Sequence, residues 1–220
     1  MKRLLVVAEG QSEETFVNIV LVPHLNVFGV HPISTIVETR HLAGRPRDKG
    51  GLSSWLKAKK DIQRCVADSD AVTTTLFDLY GLPDDFPGMG QPASKDLETE
   101  VERIETAMAS EIGSPRFIPF LAVHEFETWV FADTEAVASH FGRSTLKAKL
   151  DEIVSKFSSI EHINHGPETH PSKRLETLIT EYKKRSDGPT IMRNVGVRTI
   201  RDRCRHFDQW LTRLEQLGTT

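Results

Sequence analysis

Short apolar runs alternate with helical patterns through the first part of the chain. The runs are Arg3–Ala8, Ile33–Glu38, Ala71–Phe77 and Phe117–Val123, and the helical patterns between them are Ser12–Phe28, Ser53–Ala67 and Ser94–Glu111. Strands that alternate with helices form parallel sheets, because parallel neighbours need a crossover connection. We therefore predict an α/β fold with a parallel central sheet of about four strands and helices on both faces.

The second part of the chain shows no strand pattern beyond Ala132. Four helical patterns follow, near 134–141, 144–157, 171–184 and 206–217. Neither repeats nor a linker-like segment interrupt the sequence. We predict one domain over 1–220, in which 134–220 is a helical extension packed on the sheet.

Composition and missing motifs exclude several classes of protein. Apolar residues make up 38% of the chain, and the longest apolar stretch is too short and too polar to span a bilayer. The two cysteines, Cys65 and Cys204, are too few for a disulfide framework and indicate reduced thiols in the cytoplasm. The sequence has no P-loop, no dinucleotide-binding glycine motif and no nucleophile elbow.

Acidic residues follow three of the predicted strands. Glu9 follows the first strand, Asp78 the third, and Glu125 and Glu127 come directly after the fourth. In open parallel sheets ligands bind at the carboxyl ends of the strands. Carboxylates gathered there repel one another unless a cation compensates, and Mg²⁺ and Mn²⁺ prefer oxygen ligands. The pattern predicts a metal site at this edge, with a purely structural acidic edge as the alternative.

A basic segment lies in the C-terminal part of the chain. From Pro171 to Arg205 there are ten Lys or Arg against four Asp or Glu. Lys173 and Arg174 open a predicted helix, where backbone N–H groups already favour anions. They are therefore candidates for a phosphate or nucleic-acid clamp. The alternative is an exposed helix start with solvated basic side chains.

The histidines have weaker patterns. His124 precedes Glu125 and either supports the metal site or caps a helix. If the segment from His124 is helical, Glu125 and Glu127 point in different directions and at most one of them binds metal. His162, His165 and His170 lie in one predicted loop, but neither a cysteine nor a well-placed acid supports a zinc site there.

The segment Glu9-Gly10-Gln11-Ser12-Glu13 after the first strand, with Asp78 after the third, resembles the Toprim domain of topoisomerases, primases and old-family nucleases. The resemblance implies that Glu9 is an acid–base group or metal ligand, Asp78 a metal ligand, and Glu13 a second catalytic glutamate. The Toprim pattern has another aspartate where this chain has Tyr80. Glu125 or Glu127 is then expected to supply the missing carboxylate. His124 and Tyr80 are expected to contact the ligand side chains and hold them in place.

Longer segments are similar to domain-of-unknown-function family 4276, an uncharacterised bacterial family. The matching segments are Glu9–Phe16, Asp78–Pro83, His124–Trp129, Pro171–Arg174 and Arg203–Phe207. The resemblance implies a Toprim-like fold, often encoded beside ATPases and sometimes within anti-phage defence loci.

Two functional hypotheses follow. The first is a Mg²⁺- or Mn²⁺-dependent phosphoryl-transfer enzyme, a nuclease in which Glu9 or Glu13 is the general base. The second is a non-catalytic regulatory partner of an ATPase, with Phe77, Tyr80, Leu82 and Phe86 as an interaction surface. A nucleotide-binding or nucleotide-hydrolysing protein is a third option, since the same edge can hold a small phosphate ester.

Overall fold

The computed structural model describes residues 1–37, 52–90, 96–163 and 168–219. Its sheet is parallel throughout and has five strands in the order β2-β1-β3-β4, with the short β5 paired to β3. The strands are β1 (Lys2–Ala8), β2 (Val30–Ile36), β3 (Ala71–Asp78), β4 (Phe117–Ile118) and β5 (Leu121–Ala122). The predicted parallel α/β architecture is confirmed.

The helices surround this sheet. In the first part of the chain they are α1 (Gln11–Phe16), a π-helical segment (Val17–Leu21), α2 (Val22–Asn26), α3 (Trp55–Val66) and α4 (Leu97–Ile112). A 3-10 helix (Phe126–Ala132) then leads into α5 (Thr134–His140) and α6 (Thr145–Val154). A short 3-10 helix (Ile160–His162) precedes α7 (Pro171–Leu178), α8 (Asp187–Val195), α9 (Val197–Arg203) and α10 (Arg205–Gln216).

Alternate residues of the central strands feed two separate cores. Leu4, Val6 and Leu76 face a core shared with α1, α2 and the C-terminal helices. Val7 and Phe77 face a second core, built mainly from α3 and α4. Because successive side chains of a strand point to opposite faces, the two cores lie on opposite sides of the sheet. Helices therefore cover both faces, and the C-terminal part of the chain is helical, as predicted.

Several predicted boundaries were wrong. The second strand begins at Val30 instead of Ile33, since Pro32 is tolerated in β2 at the edge of the sheet. The predicted 117–123 strand is split by Pro119 and Phe120 into β4 and β5. The predicted 171–184 helix ends at Leu178, and α8 and α9 were not predicted. Glu38, Ser94, His165 and the 44–51 loop lie outside the described residues.

A threonine of β3 satisfies the backbone hydrogen bonds of Phe120, which lies between β4 and β5. The Thr75 hydroxyl accepts the Phe120 N–H at 2.8 Å and donates to the Phe120 carbonyl at 2.8 Å. Both groups are buried, and a strand partner would otherwise have to satisfy them. Thr73, two residues earlier, is equally buried, but its hydroxyl has no hydrogen-bond partner among the described residues.

We expect Thr75→Val to lower the free energy of unfolding by about 2–4 kcal/mol, because it leaves a buried donor and a buried acceptor unsatisfied. Thr73→Val is the matched control, which removes an unpaired buried hydroxyl and should leave the stability unchanged or raise it. Urea denaturation of both variants measures the difference. Equal losses in the two variants would contradict this role for Thr75.

Candidate metal centre

The sheet order brings the first two predicted carboxylates together. From β1 the chain crosses to β2 on one side, and from β3 it crosses to β4 on the other, so β1 and β3 flank the switch point of the sheet. Ligands bind at the carboxyl ends of strands at such points. Glu9 follows β1 and Asp78 ends β3, and the Asp78 backbone N–H donates to Glu9 Oε2 at 3.1 Å.

The chain after β5 adds two further carboxylates to this edge. The Leu79 N–H donates to the Ala122 carbonyl at 3.0 Å, and the Tyr80 N–H to the His124 carbonyl at 2.7 Å. These bonds continue the parallel pairing beyond the strands. In turn, Asp78 Oδ1 accepts the Phe126 N–H at 2.8 Å, which ties the start of the 3-10 helix to β3.

Asp78, Glu125 and Glu127 form a compact cluster. One carboxylate oxygen from each residue lies within 4.8 Å of the others, and all three residues are buried. Opposite ligands of Mg²⁺ are about 4.2 Å apart, since each Mg–O distance is 2.0–2.1 Å. Neighbouring ligands of such an ion are only about 2.9 Å apart, so binding would draw these oxygens closer together.

Both Glu125 and Glu127 contribute an oxygen to this cluster, and the helical segment from His124 that would have separated them is not present. Glu125 has extended backbone angles, φ −144° and ψ 154°, and the 3-10 helix begins only at Phe126. The helical argument therefore does not apply to this pair. His124, just before, has φ 61°, a left-handed conformation that is unusual outside glycine and is found at functional sites.

Glu125 anchors the N-terminus of α7. Its Oε2 accepts the Ser172 N–H at 2.8 Å and lies 3.1 Å from His170 Nδ1, and its Oε1 accepts the Ser172 hydroxyl at 3.1 Å. A carboxylate at a helix N-terminus is favoured by the helix dipole, so Glu125 has a structural role as well as a place in the cluster.

Lys184 is a site residue that the sequence reasoning missed. Its ammonium lies 3.0 Å from Glu127 Oε2, and it belongs to the irregular chain between α7 and α8. Burial alone lowers the pKa of Lys184, but Glu127, Asp78 and Glu125 outweigh that effect and raise it. Lys184 is therefore protonated at neutral pH.

Burial and mutual repulsion also raise the pKa values of the carboxylates, which favours their neutral form. Burial raises the pKa of Glu9 to about 7, although the Asp78 N–H opposes it. Burial also raises the pKa of Glu127 to about 7, although Lys184 opposes it. For Asp78, burial and then the charge of Glu9 hold the pKa well above its usual range. Burial raises the pKa of Glu13, and the charge of Glu125 adds to this rise.

Among the described residues, the side chains around this cluster bring fewer positive charges than carboxylates. The cluster contains five acidic residues: Glu9, Glu13, Asp78, Glu125 and Glu127. The charge of Lys184 opposes the rise in the pKa of Glu9, Glu13, Asp78 and Glu127. Glu127 is fully buried, and neither of its oxygens accepts a well-aligned hydrogen bond from the described residues. The buried Tyr182 hydroxyl, whose pKa is raised by burial and by Glu127, also has no described partner. A cation beside the Glu127 oxygens fits the first of these features.

A family model described as a domain of unknown function (DUF4276) matches residues 8–215. The chain belongs to this family. The matched region contains all five carboxylates and Lys184. No curated protein and no solved structure matches the chain significantly. Family membership assigns no activity, and the Toprim resemblance stays a prediction.

Lys173 and Arg174, the predicted phosphate clamp, make different contacts. Lys173 lies 3.8 Å from Glu168, whereas the Arg174 guanidinium donates to the Thr169 carbonyl and lies over the Phe157 ring. Farther along the basic segment, Arg201 binds Asp208 and Glu215. Lys173 adjoins Ser172 and therefore lies near Glu125, but Arg174 is directed elsewhere. A role of either in binding phosphate stays a prediction.

Two further features of the described residues bear on function. A cavity of about 790 Å³ lies away from the carboxylates, and its lining includes Ile19, Pro23, His24, Arg193, Arg198 and Arg201. It contains none of the predicted site residues, so we place the chemistry at the carboxylate cluster. Within the described chain, no helix is both long and apolar enough to cross a membrane.

Proposed function

We propose that this protein is a Mg²⁺- or Mn²⁺-dependent phosphoryl-transfer enzyme, a nuclease that hydrolyses nucleic-acid phosphodiesters. The observation that carries the proposal is the buried Glu127 carboxylate beside Asp78 and Glu125. Among the described residues, Glu127 contacts the Lys184 ammonium, without an aligned hydrogen bond. A buried carboxylate is costly unless it is paired or binds a metal. Within the described part of the chain, the Lys184 ammonium contacts Glu127, and a single positive charge does not balance several carboxylates.

Asp78, Glu125 and Glu127 would hold the ion, and Glu9 borders them. Bound there, the ion would polarise the phosphodiester and lower the pKa of an attacking water. Glu9, with a pKa of about 7, is suited to take the proton from that water as the new P–O bond forms. The oxygen that leaves phosphorus takes a proton from solvent.

Lys184 has a separate part in this scheme. Its ammonium stays protonated and contacts the cluster directly, so it can neutralise charge on the phosphate as the transition state forms. Glu127 orients the ammonium, and Glu13 adds negative charge that keeps the pKa of Glu9 high.

We expect Lys184→Met to reduce cleavage about 100- to 1,000-fold while Mn²⁺ binding is retained, because a group that stabilises transition-state charge is lost. Lys183→Met is the matched control, since Lys183 is an exposed neighbour. Titration calorimetry with Mn²⁺ and cleavage of labelled DNA and RNA, single-stranded and duplex, measure the two effects. Loss of metal binding in Lys184→Met, or equal activity in both variants, would contradict this role.

The regulatory-partner alternative has one observation in its favour. Lys184 already neutralises part of the cluster, so the acidic edge has some stability without metal. Its proposed interaction surface is not supported, however, because Phe77, Leu82 and Phe86 are buried and Tyr80 alone of the four is exposed. Failure to bind Mn²⁺ or Mg²⁺ at millimolar concentration, together with absence of cleavage, would favour this alternative.

A further inference from the structure

Tyr80 is an exposed aromatic side chain beside the carboxylate cluster. It follows Asp78 by two residues and is 39% exposed. The other exposed large hydrophobic side chains of the described chain are Met1, Val27, Phe28, Ile33 and Leu56, and none of them is close in sequence to Asp78, Glu125 or Glu127. Core packing therefore does not account for this ring.

The Tyr80 ring is held in a fixed position. Its backbone N–H donates to the His124 carbonyl at 2.7 Å. Its ring is stacked on the His170 imidazole, with centroids 5.0 Å apart and an angle of 21° between the planes. A ring held in this way loses little conformational freedom when a ligand covers its exposed surface.

His170 connects this stack to the candidate metal centre. Its Nδ1 lies 3.1 Å from Glu125 Oε2 and 3.1 Å from the Ser172 hydroxyl. Because a carboxylate only accepts hydrogen bonds, Nδ1 carries the proton in this contact. The stacked pair therefore keeps a fixed distance from the oxygens that would hold the ion.

We propose that the Tyr80–His170 stack is a platform for an unpaired nucleobase next to the phosphate that is cleaved. The proposal rests on the proposed nuclease function and names its substrate class as single-stranded or frayed nucleic acid. A base inside a duplex has both faces covered by its neighbours, whereas an unpaired base has a free face. Stacking on an aromatic side chain accepts every base, so the platform selects strand state and not sequence.

Binding is measured in the Asp78→Asn background, so that substrate is not consumed. The probes are a single-stranded oligonucleotide that contains 2-aminopurine and the same oligonucleotide in a duplex. We expect tighter binding of the single strand with quenching of 2-aminopurine fluorescence. Adding Tyr80→Leu should weaken binding of the single strand about 5- to 100-fold and remove the quenching, whereas Tyr80→Phe should retain both.

A second variant tests the other ring of the pair. His170→Asn keeps a hydrogen-bonding group near Glu125 and Ser172 but removes the imidazole. Added to Asp78→Asn, it should weaken single-strand binding, whereas His170→Asn with Asp78 intact should still bind Mn²⁺. Equal binding of single strand and duplex, no binding of either, or an unchanged affinity in Tyr80→Leu overturns the platform. Wild-type cleavage tests the nuclease proposal separately, because quenching does not require turnover.

Discussion

Asp78→Asn should make the metal-free protein more stable while it abolishes metal binding. Ionised Asp78 is buried among Glu9, Glu13 and Glu127, and burial and these charges raise its pKa well above the usual range. Asparagine keeps an oxygen that accepts the Phe126 N–H and places an amide donor among the carboxylates. Above neutral pH we expect a gain of about 1–3 kcal/mol in the free energy of unfolding.

The same substitution should reduce cleavage more than about a hundredfold, because the ion loses a charged ligand. Titration calorimetry with Mn²⁺, thermal denaturation with and without the metal, and cleavage assays measure the three effects. A gain in stability together with a loss of function is the signature of a site whose groups are selected for chemistry. A purely structural acidic edge would not produce it.

Glu161→Gln is the matched control for Asp78→Asn. Glu161 is also a buried carboxylate, but it accepts the backbone N–H groups of His206 at 3.2 Å and Phe207 at 3.3 Å, at the start of α10. Glutamine can accept only one of them, so stability should fall while Mn²⁺ binding is unchanged. If Asp78→Asn behaves like Glu161→Gln, the carboxylate cluster is structural and the metal-site proposal fails.

The positions of Glu9 and Asp78 were predictable from the sequence. Each follows an apolar run, and the carboxyl ends of parallel strands meet at one edge of a sheet. This argument holds whatever the order of the strands β2 and β4 in the sheet. Glu125 and Glu127 were also placed at this edge from their proximity to the fourth strand. Their joint presence in the cluster depends on the extended backbone of Glu125, which no local pattern indicated.

Lys184 was missed because its position depends on contacts distant in sequence. The helical pattern over 171–184 suggested one continuous helix, whereas α7 ends at Leu178 and α8 begins at Asp187. One signal was available, since Asp187-Gly188-Pro189 is typical of a helix start and therefore of irregular chain before it. Even so, only the packing of the folded chain brings Lys184 to Glu127.

Metal-free protein is expected to lose stability as the pH rises from 4.5 to 7. Glu9 and Glu127 have pKa values of about 7 in the folded protein, above their ordinary value of 4.5. The folded state therefore binds more protons than the unfolded state in this range. Raising the pH disfavours the state that binds more protons, so the free energy of unfolding falls. Each group contributes on the order of 3 kcal/mol, and the pair less than twice that because their protons are coupled.

Metal should reverse this dependence. The ion binds the deprotonated carboxylates, so its stabilising effect grows with pH and binding releases protons into the buffer. Denaturation at several pH values, with and without Mn²⁺, measures the slopes, and calorimetry in buffers of different ionisation enthalpy counts the protons. A metal effect that is independent of pH would mean that the carboxylates already ionise without it, as in a site compensated by Lys184 alone.

Comparison of wild type with Glu127→Gln separates the pH dependence that arises from this cluster from that of other titrating groups. For His206, burial lowers the pKa, but the hydrogen bond and charge of Glu105 outweigh it and raise the pKa. Its contribution to the stability of the protein is therefore also lost as the pH rises. That contribution is the same in wild type and in Glu127→Gln. The difference between their metal-free slopes therefore reports Glu127 and its neighbours. An identical slope in the two proteins would remove Glu127 from the titrating cluster and, with it, the main observation behind the metal site.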